Sequence, residues 1–160
     1  MKALLELPQA HVRVLSSLVE LISPTEYQWV LTGSAGLRLQ GVDISVNDLD
    51  LQTDTKNVYL IEKKLSEYMK VAVHLWESEH TLSLHGQAEI NGITVELIGD
   101  IKHRSSGGAW ESPVDISTTR VWVTWRKHNI PVFPLEFEAQ AYSIMGRVEK
   151  AKLIREAIYS

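Results

Sequence analysis

Between Thr81 and Ile98 two runs of strand-forming residues are separated by the dipeptide Asn91-Gly92 alone. A two-residue connection of this kind takes a primed turn with positive φ at both central positions, which Asn and Gly tolerate at little cost. Thr81 to Ile90 and Ile93 to Ile98 therefore fold back on each other as an antiparallel hairpin. Any fold for this chain has to be built around a sheet that contains it.

The flanking segments supply the rest of that sheet and its cover. Val12, Leu15, Leu18, Val19 and Ile22 recur at helical spacing from Gln9 to Ile22, with Pro8 in the first turn and Ser23-Pro24 as the stop. Tyr27 to Leu31 reads as a short strand ended by Thr32-Gly33, with Ser34 capping a helix through Leu39 that stops at Gly41. Asn47 to Thr53 alternates polar residues with Leu, the period of a strand with one apolar and one polar face, so that Asp48, Asp50 and Gln52 share a side. Asp54 or Thr55 caps a helix bearing Val58, Ile61 and Leu65 that ends near Lys70. Val71 to Trp76, Arg120 to Trp125 and Ile130 to Pro134 are extended, and a terminal helix covers Leu135 to about Ile158. Gly146 weakens the middle of that helix by about 1 kcal/mol relative to Ala and is the place for a break. The order of elements predicts an α+β fold, a mixed or antiparallel sheet with helices packed mainly on one side.

The 160 residues suit a single domain, and their 44% apolar and 22% charged composition excludes disorder as the default. With no cysteine the chain has neither a disulfide framework nor a thiolate mechanism, and a reducing cytoplasm suits it. Neither a signal peptide nor a membrane span is expected. A net charge of −4 gives no general attraction for nucleic acid.

Chemistry is concentrated in three acids. Asp48 and Asp50 stand two apart on one face of their strand, with α-carbons roughly 6–7 Å apart. Two such charges about 4 Å apart repel by ~4 kcal/mol at an effective dielectric of 20, which calls for a cation or a raised pKa if they are partly buried. An all-oxygen site of this kind favours Mg or Mn. Asp is a poor strand former, so two of them in an otherwise good strand are hard to explain by folding alone. Glu96 interrupts the apolar strand Ile93 to Ile98 between Val95 and Leu97. Gly33-Ser34, fourteen residues before Asp48, forms a strand-to-helix turn whose N–H groups can meet phosphate oxygens. His74, His80, His85, His103 and His128 show no spacing for a helical metal site and read as surface or strand residues.

Gly33-Ser34, then Asn47-Asp48-Leu49-Asp50-Leu51, then Val95-Glu96-Leu97 resembles, in that order, the nucleotidyltransferase superfamily that includes DNA polymerase β and the lincosamide and antitoxin nucleotidyltransferases. The likeness extends to Ile130-Pro131-Val132, Leu135-Glu136 and Gly146-Arg147, and so covers roughly Trp29 to Lys150. It implies transfer of an NMP group from an NTP, expected to be ATP, to a hydroxyl on a small molecule or protein. Asp48, Asp50 and Glu96 would be metal ligands, with Glu96 also positioning or deprotonating the acceptor, and Gly33 and Ser34 would contact the β and γ phosphates. The basic residue and the Thr that such proteins often carry just before the acidic pair are replaced by Ile44 and Val46, and the lysine frequent in the terminal helix is not evident around Gln140 to Tyr142. Arg38, Arg147 and Lys150 are the substitutes for binding the nucleotide. The alternative that the resemblance allows is a module of the same fold that binds a nucleotide or a partner protein without turnover.

Overall fold

The computed structural model describes residues 5–160. Its centre is the expected hairpin: strands β4 (Thr81–Ile90) and β5 (Ile93–His103) pair antiparallel, and Asn91 and Gly92 take φ of 48° and 80°. β5 runs beyond Ile98 because a bulge absorbs an irregularity. Asp100 adopts φ 46°, and the register steps from Leu84 opposite Gly99 to Leu82 opposite Lys102. The extra residue re-aims the strand, so that Ile98, Ile101 and His103 all line one cavity. Asp100, expected past the strand, lies within it and caps another element by accepting hydrogen bonds from the Thr55 backbone N–H and hydroxyl.

Three more strands complete a mixed sheet of order β1-β2-β5-β4-β3. β2 (Leu49–Thr53) runs parallel to β5, β1 (Val30–Thr32) is antiparallel to β2, and β3 (Met69–Glu77) is antiparallel to β4 at the other edge. The alternation read in Asn47 to Thr53 sends Leu49 and Leu51 into the core, where they meet Val95 and Leu97 of β5. Helices α1 (Gln9–Leu21) and α3 (Thr55–Lys64) seal that face with Val12, Leu15, Leu18, Val58 and Ile61. Burying those apolar stripes is what fixes the register, since a one-residue slip of β2 would drive Asp50 into the core. Asp54 caps α3 as expected, its carboxylate accepting from the Asn57 N–H at 2.7 Å.

The C-terminal part holds the short helix α4 (Ile116–Thr119), a ribbon of β6 (Val121–Trp125) and β7 (His128–Val132), and helices α5 (Leu135–Ile144) and α6 (Val148–Ile158). Ala139, Tyr142, Ala151 and Ile154 of the last two pack on Leu37 and on Val42, and so tie them to helix α2 (Gly33–Leu39). Among the described residues no helix is long and apolar enough to cross a membrane.

Several boundaries differ from the sequence expectation for identifiable reasons. The terminal helix is two helices, because Gly146 takes φ 78°, outside the helical region. The third helix stops at Lys64, not Lys70; a 3-10 turn, Ser66–Tyr68, follows, and pairing of Met69 with Ala88 draws the chain into the sheet. Ser34 lies inside α2 instead of capping it. Thr32 holds the cap position, yet its hydroxyl makes no cap bond because it donates to Glu138. Asp48 lies just before β2, in a bend.

Leu51 is fully buried in the main core. Leu51→Ala is expected to cost about 2–5 kcal/mol, the usual range for such a truncation, in urea unfolding followed by circular dichroism. A loss under about 1 kcal/mol would contradict this packing.

Candidate active site

Asp50 is the centre of the site. Parallel pairing of β2 with β5 sets it directly opposite Glu96, and antiparallel pairing of β1 with β2 sets it opposite Thr32, one residue before Gly33. Gly33 has φ 64°, and a Cβ built there would stand 2.2 Å from Asp50 Oδ2. Only glycine satisfies both demands, so the turn that opens α2 is pressed against the Asp50 carboxylate. The backbone leading into Asp48 is held from α1 by His11, whose Nε2 donates to the Asn47 carbonyl at 2.7 Å. Asp48 itself is exposed.

Charge around Asp50 is unbalanced. Burial, followed by the carboxylates of Glu96 and Asp48, pushes its pKa up to about 6, against a smaller opposing pull from Lys150 and His85. Glu96 is held from the neighbouring strand: His85 Nε2 lies 2.5 Å from its Oε2, and Gln87 Nε2 donates to its Oε1 at 2.9 Å. The contact with Glu96 raises the His85 pKa in spite of partial burial. His85 is a strand residue, as read, and β4 sets its ring against the Glu96 carboxylate of the candidate site. Counting outward from the Asn91-Gly92 turn places Gln87 opposite Glu96, so the signal was present in the hairpin register.

On the other side of Asp50, α5 and α6 bring a second group that the sequence did not show as a unit. Glu138 of α5 is buried and accepts from the Thr32 hydroxyl at 2.8 and 3.0 Å; burial pushes its pKa up to about 7. Tyr142 carries Lys150 Nζ 4.5 Å and the Arg147 guanidinium 5.3 Å from its ring centroid, distances suited to cation–π attraction. Burial, then repulsion from Arg147, lowers the Lys150 pKa, while Asp50 and Glu138 oppose the shift. Ser34, Arg147 and Lys150 line one open groove of about 680 Å³. Of the expected site residues, Asp48, Asp50, Glu96, Gly33, Ser34 and Arg147 are gathered here. Arg38 is committed elsewhere, donating to the Glu6 and Ile44 carbonyls and pairing with Asp43 at 3.2 Å.

The donor chemistry suits a hard divalent cation: Asp48, Asp50 and Glu96 offer only oxygen, and their mutual repulsion on Asp50 is what a cation relieves. Among the described residues no group of three or more acids or histidines forms a ready-made metal cage. Magnesium seldom needs one, because it keeps several waters and binds through one or two carboxylates plus substrate phosphates.

The sequence profile of the aminoglycoside-2''-adenylyltransferase family matches residues 14–156. The chain belongs to this family. It is therefore a member of the nucleotidyltransferase superfamily, with the mixed-sheet α+β fold of its structures. A candidate nucleotidyltransferase of Thermotoga maritima, TM1012, solved by crystallography, is 38% identical, with a TM-score of 0.83 over 97% of this chain and 96% of that one. The lincosamide antibiotic adenylyltransferase LnuA, solved with lincomycin bound, shares the fold at 14% identity, with a TM-score of 0.55 over 92% of this chain and 98% of that one. Among curated proteins none matches this chain significantly.

The raised Asp50 pKa makes a stability prediction. The unfolded chain loses this proton near 3.8 whereas the folded chain keeps it to about 6, so ionised Asp50 weakens the fold above that window and not below it. In EDTA, Asp50→Asn is expected to be more stable than wild type at pH 8 by about 1–3 kcal/mol. The gap should close as pH falls through 6 towards 4; equal stability at pH 8 would contradict the burial of this charge.

Proposed function

We propose that the protein transfers an AMP group from ATP, with magnesium, to a hydroxyl of a small molecule or protein. The observation that carries this reading is Asp50 set opposite Glu96, with Gly33 fitted against the Asp50 carboxylate and, next along the chain, Ser34 lining a groove that holds Arg147, Lys150 and Glu149. Asp48 and Asp50 would hold the metal, with Glu96 as the third oxygen donor. When bound, the metal neutralises charge on the phosphates and on the attacking and leaving oxygens. Gly33 and Ser34 present the start of α2 to the β and γ phosphates, and Arg147 and Lys150 supply the positive charge for them. Arg38, engaged with Asp43, is replaced in that role by Lys150.

Glu96 positions the acceptor hydroxyl or takes its proton, and His85 and Gln87 fix the direction of its carboxylate. In-line displacement at phosphorus asks for little covalent chemistry from the protein, so placing these groups is the greater part of the catalytic task. The acceptors named for the comparison proteins, an aminoglycoside and a lincosamide, are the first to try. A second reading, a nucleotide-binding module without turnover, is supported by one feature: Glu96 already has two partners in β4. The absence of cysteine suits a cytoplasmic home for either.

Incubated with magnesium, a cell extract and α-labelled ATP, the protein is expected to pass label to an acceptor, and γ-labelled ATP is expected to give none. Glu96→Gln should retain ATP binding and lower transfer by about a hundredfold, the usual scale for a lost acid–base group. Asp50→Asn should abolish transfer. Label passed from the γ position would contradict nucleotidyl transfer, and tight ATP binding with no transfer to any acceptor would favour the second reading.

A further inference from the structure

Of Asp48, Asp50 and Glu96, only Asp48 lies outside the sheet ladder. Asp50 and Glu96 face each other within the pairing of β2 and β5, which begins at Leu49 opposite Val95. Asp48 precedes it in a bend, at the end of residues 42–47, which have no regular structure. Its side chain is exposed, and its charge is among those that disfavour ionised Asp50. Two carboxylates this near repel, and a loosely held segment would relieve the repulsion by swinging Asp48 outward, away from any cation shared with Asp50. Something has to oppose that movement.

Two side chains clamp the segment. Arg38 donates to the Ile44 carbonyl at 3.3 Å, well upstream, and His11 Nε2 donates to the Asn47 carbonyl at 2.7 Å. The second bond is the better placed. The Asn47 carbonyl, the Asp48 nitrogen and the Asp48 α-carbon belong to one planar peptide unit, so holding that oxygen fixes the plane from which the Asp48 side chain springs. The anchor is firm, because α1 is set in the main core by Leu15 and Leu18, both fully buried.

Packing alone does not account for a histidine here. His11 is 7% exposed and shares the buried face of α1 with Val12, Leu15 and Leu18. A carbonyl oxygen only accepts, so Nε2 carries the proton and Nδ1 is left as an acceptor. Nδ1 is buried without a partner. An apolar residue would fill the same place with no unmet polar atom, but it would leave the Asn47 carbonyl unheld.

We propose that His11 is a positioning residue for the metal: by pinning the peptide plane that ends at the Asp48 α-carbon, it keeps the Asp48 carboxylate within reach of the cation shared with Asp50. His11 does not line the groove at Ser34 and Lys150, so it acts through Asp48. This inference rests on the reading of Asp48 and Asp50 as metal ligands and adds what holds one of them in place.

Manganese binding in the presence of a non-hydrolysable ATP analogue, read from the electron paramagnetic resonance of free manganese, tests this without turnover. The decisive pair is His11→Gln, whose amide N–H takes the place of Nε2–H, and His11→Met, of similar length with no N–H. His11→Met is expected to weaken manganese binding by about 10–100-fold, the scale for partners that orient a metal's ligands, and His11→Gln to keep most of it. Val12→Ala, a truncation in the same helix, should lower the thermal midpoint and leave manganese affinity unchanged. His11→Phe replaces His11→Met if that variant does not fold. Wild-type affinity in His11→Met, a His11→Gln as weak as His11→Met, or an equal loss in Val12→Ala would overturn the inference. If wild type binds no manganese, or Asp48→Asn binds it as tightly as wild type, the metal reading itself fails and this inference with it.

Discussion

The pairing of β2 with β5 puts two carboxylates, Asp50 and Glu96, side by side in the interior of a sheet. Like charges at directly opposed strand positions are destabilising, and partial burial of Asp50 sharpens the conflict. Much of the neighbourhood answers it. His85 and Gln87 hold Glu96 from one side, Lys150 faces Asp50 from the other, and the Gly33 turn closes against Asp50 with no side chain between. The core beneath, Leu49, Leu51, Val95 and Leu97, opposes the simplest escape, because a one-residue slip that parted the acids would turn the apolar residues of β2 outward. Local stability is given up for a site whose remaining charge suits a cation.

Most of this was legible in short-range sequence pattern. Asn91-Gly92 fixed the hairpin and, through its register, the place of Gln87 against Glu96. The alternation of Leu with acids fixed which side of β2 is wet. Gly33 marked the turn because its φ of 64° and its contact with Asp50 leave no room for another residue. Each of these features is decided within a few residues of chain.

What sequence did not reveal is decided by contacts between distant segments. Thr32 and Glu138 are 106 residues apart, and nothing local to either shows that the hydroxyl will spend itself on a buried acid instead of capping α2. Lys150 and Arg147 meet at Tyr142 only because the chain reverses at Gly146, and a continuous helix would have carried them away from the site. Arg38 looked suitable by position in α2, but its neighbour Asp43 is closer in sequence and takes it. The bulge at Asp100 was invisible for a different reason: Asp at positive φ is uncommon, and Gly99 before it suggested an end to the strand.

The proposed transfer depends on Asp48 and Asp50, with Glu96, holding a cation against a triphosphate. Crystals soaked with manganese and a non-hydrolysable ATP analogue test it directly through the anomalous signal of the metal. A manganese peak is expected about 2.1 Å from carboxylate oxygens of Asp48 and Asp50, with the phosphates of the analogue beside Gly33 and Ser34. Analogue bound in the groove with no metal at either aspartate, or manganese bound only at acids elsewhere on the surface, would contradict it.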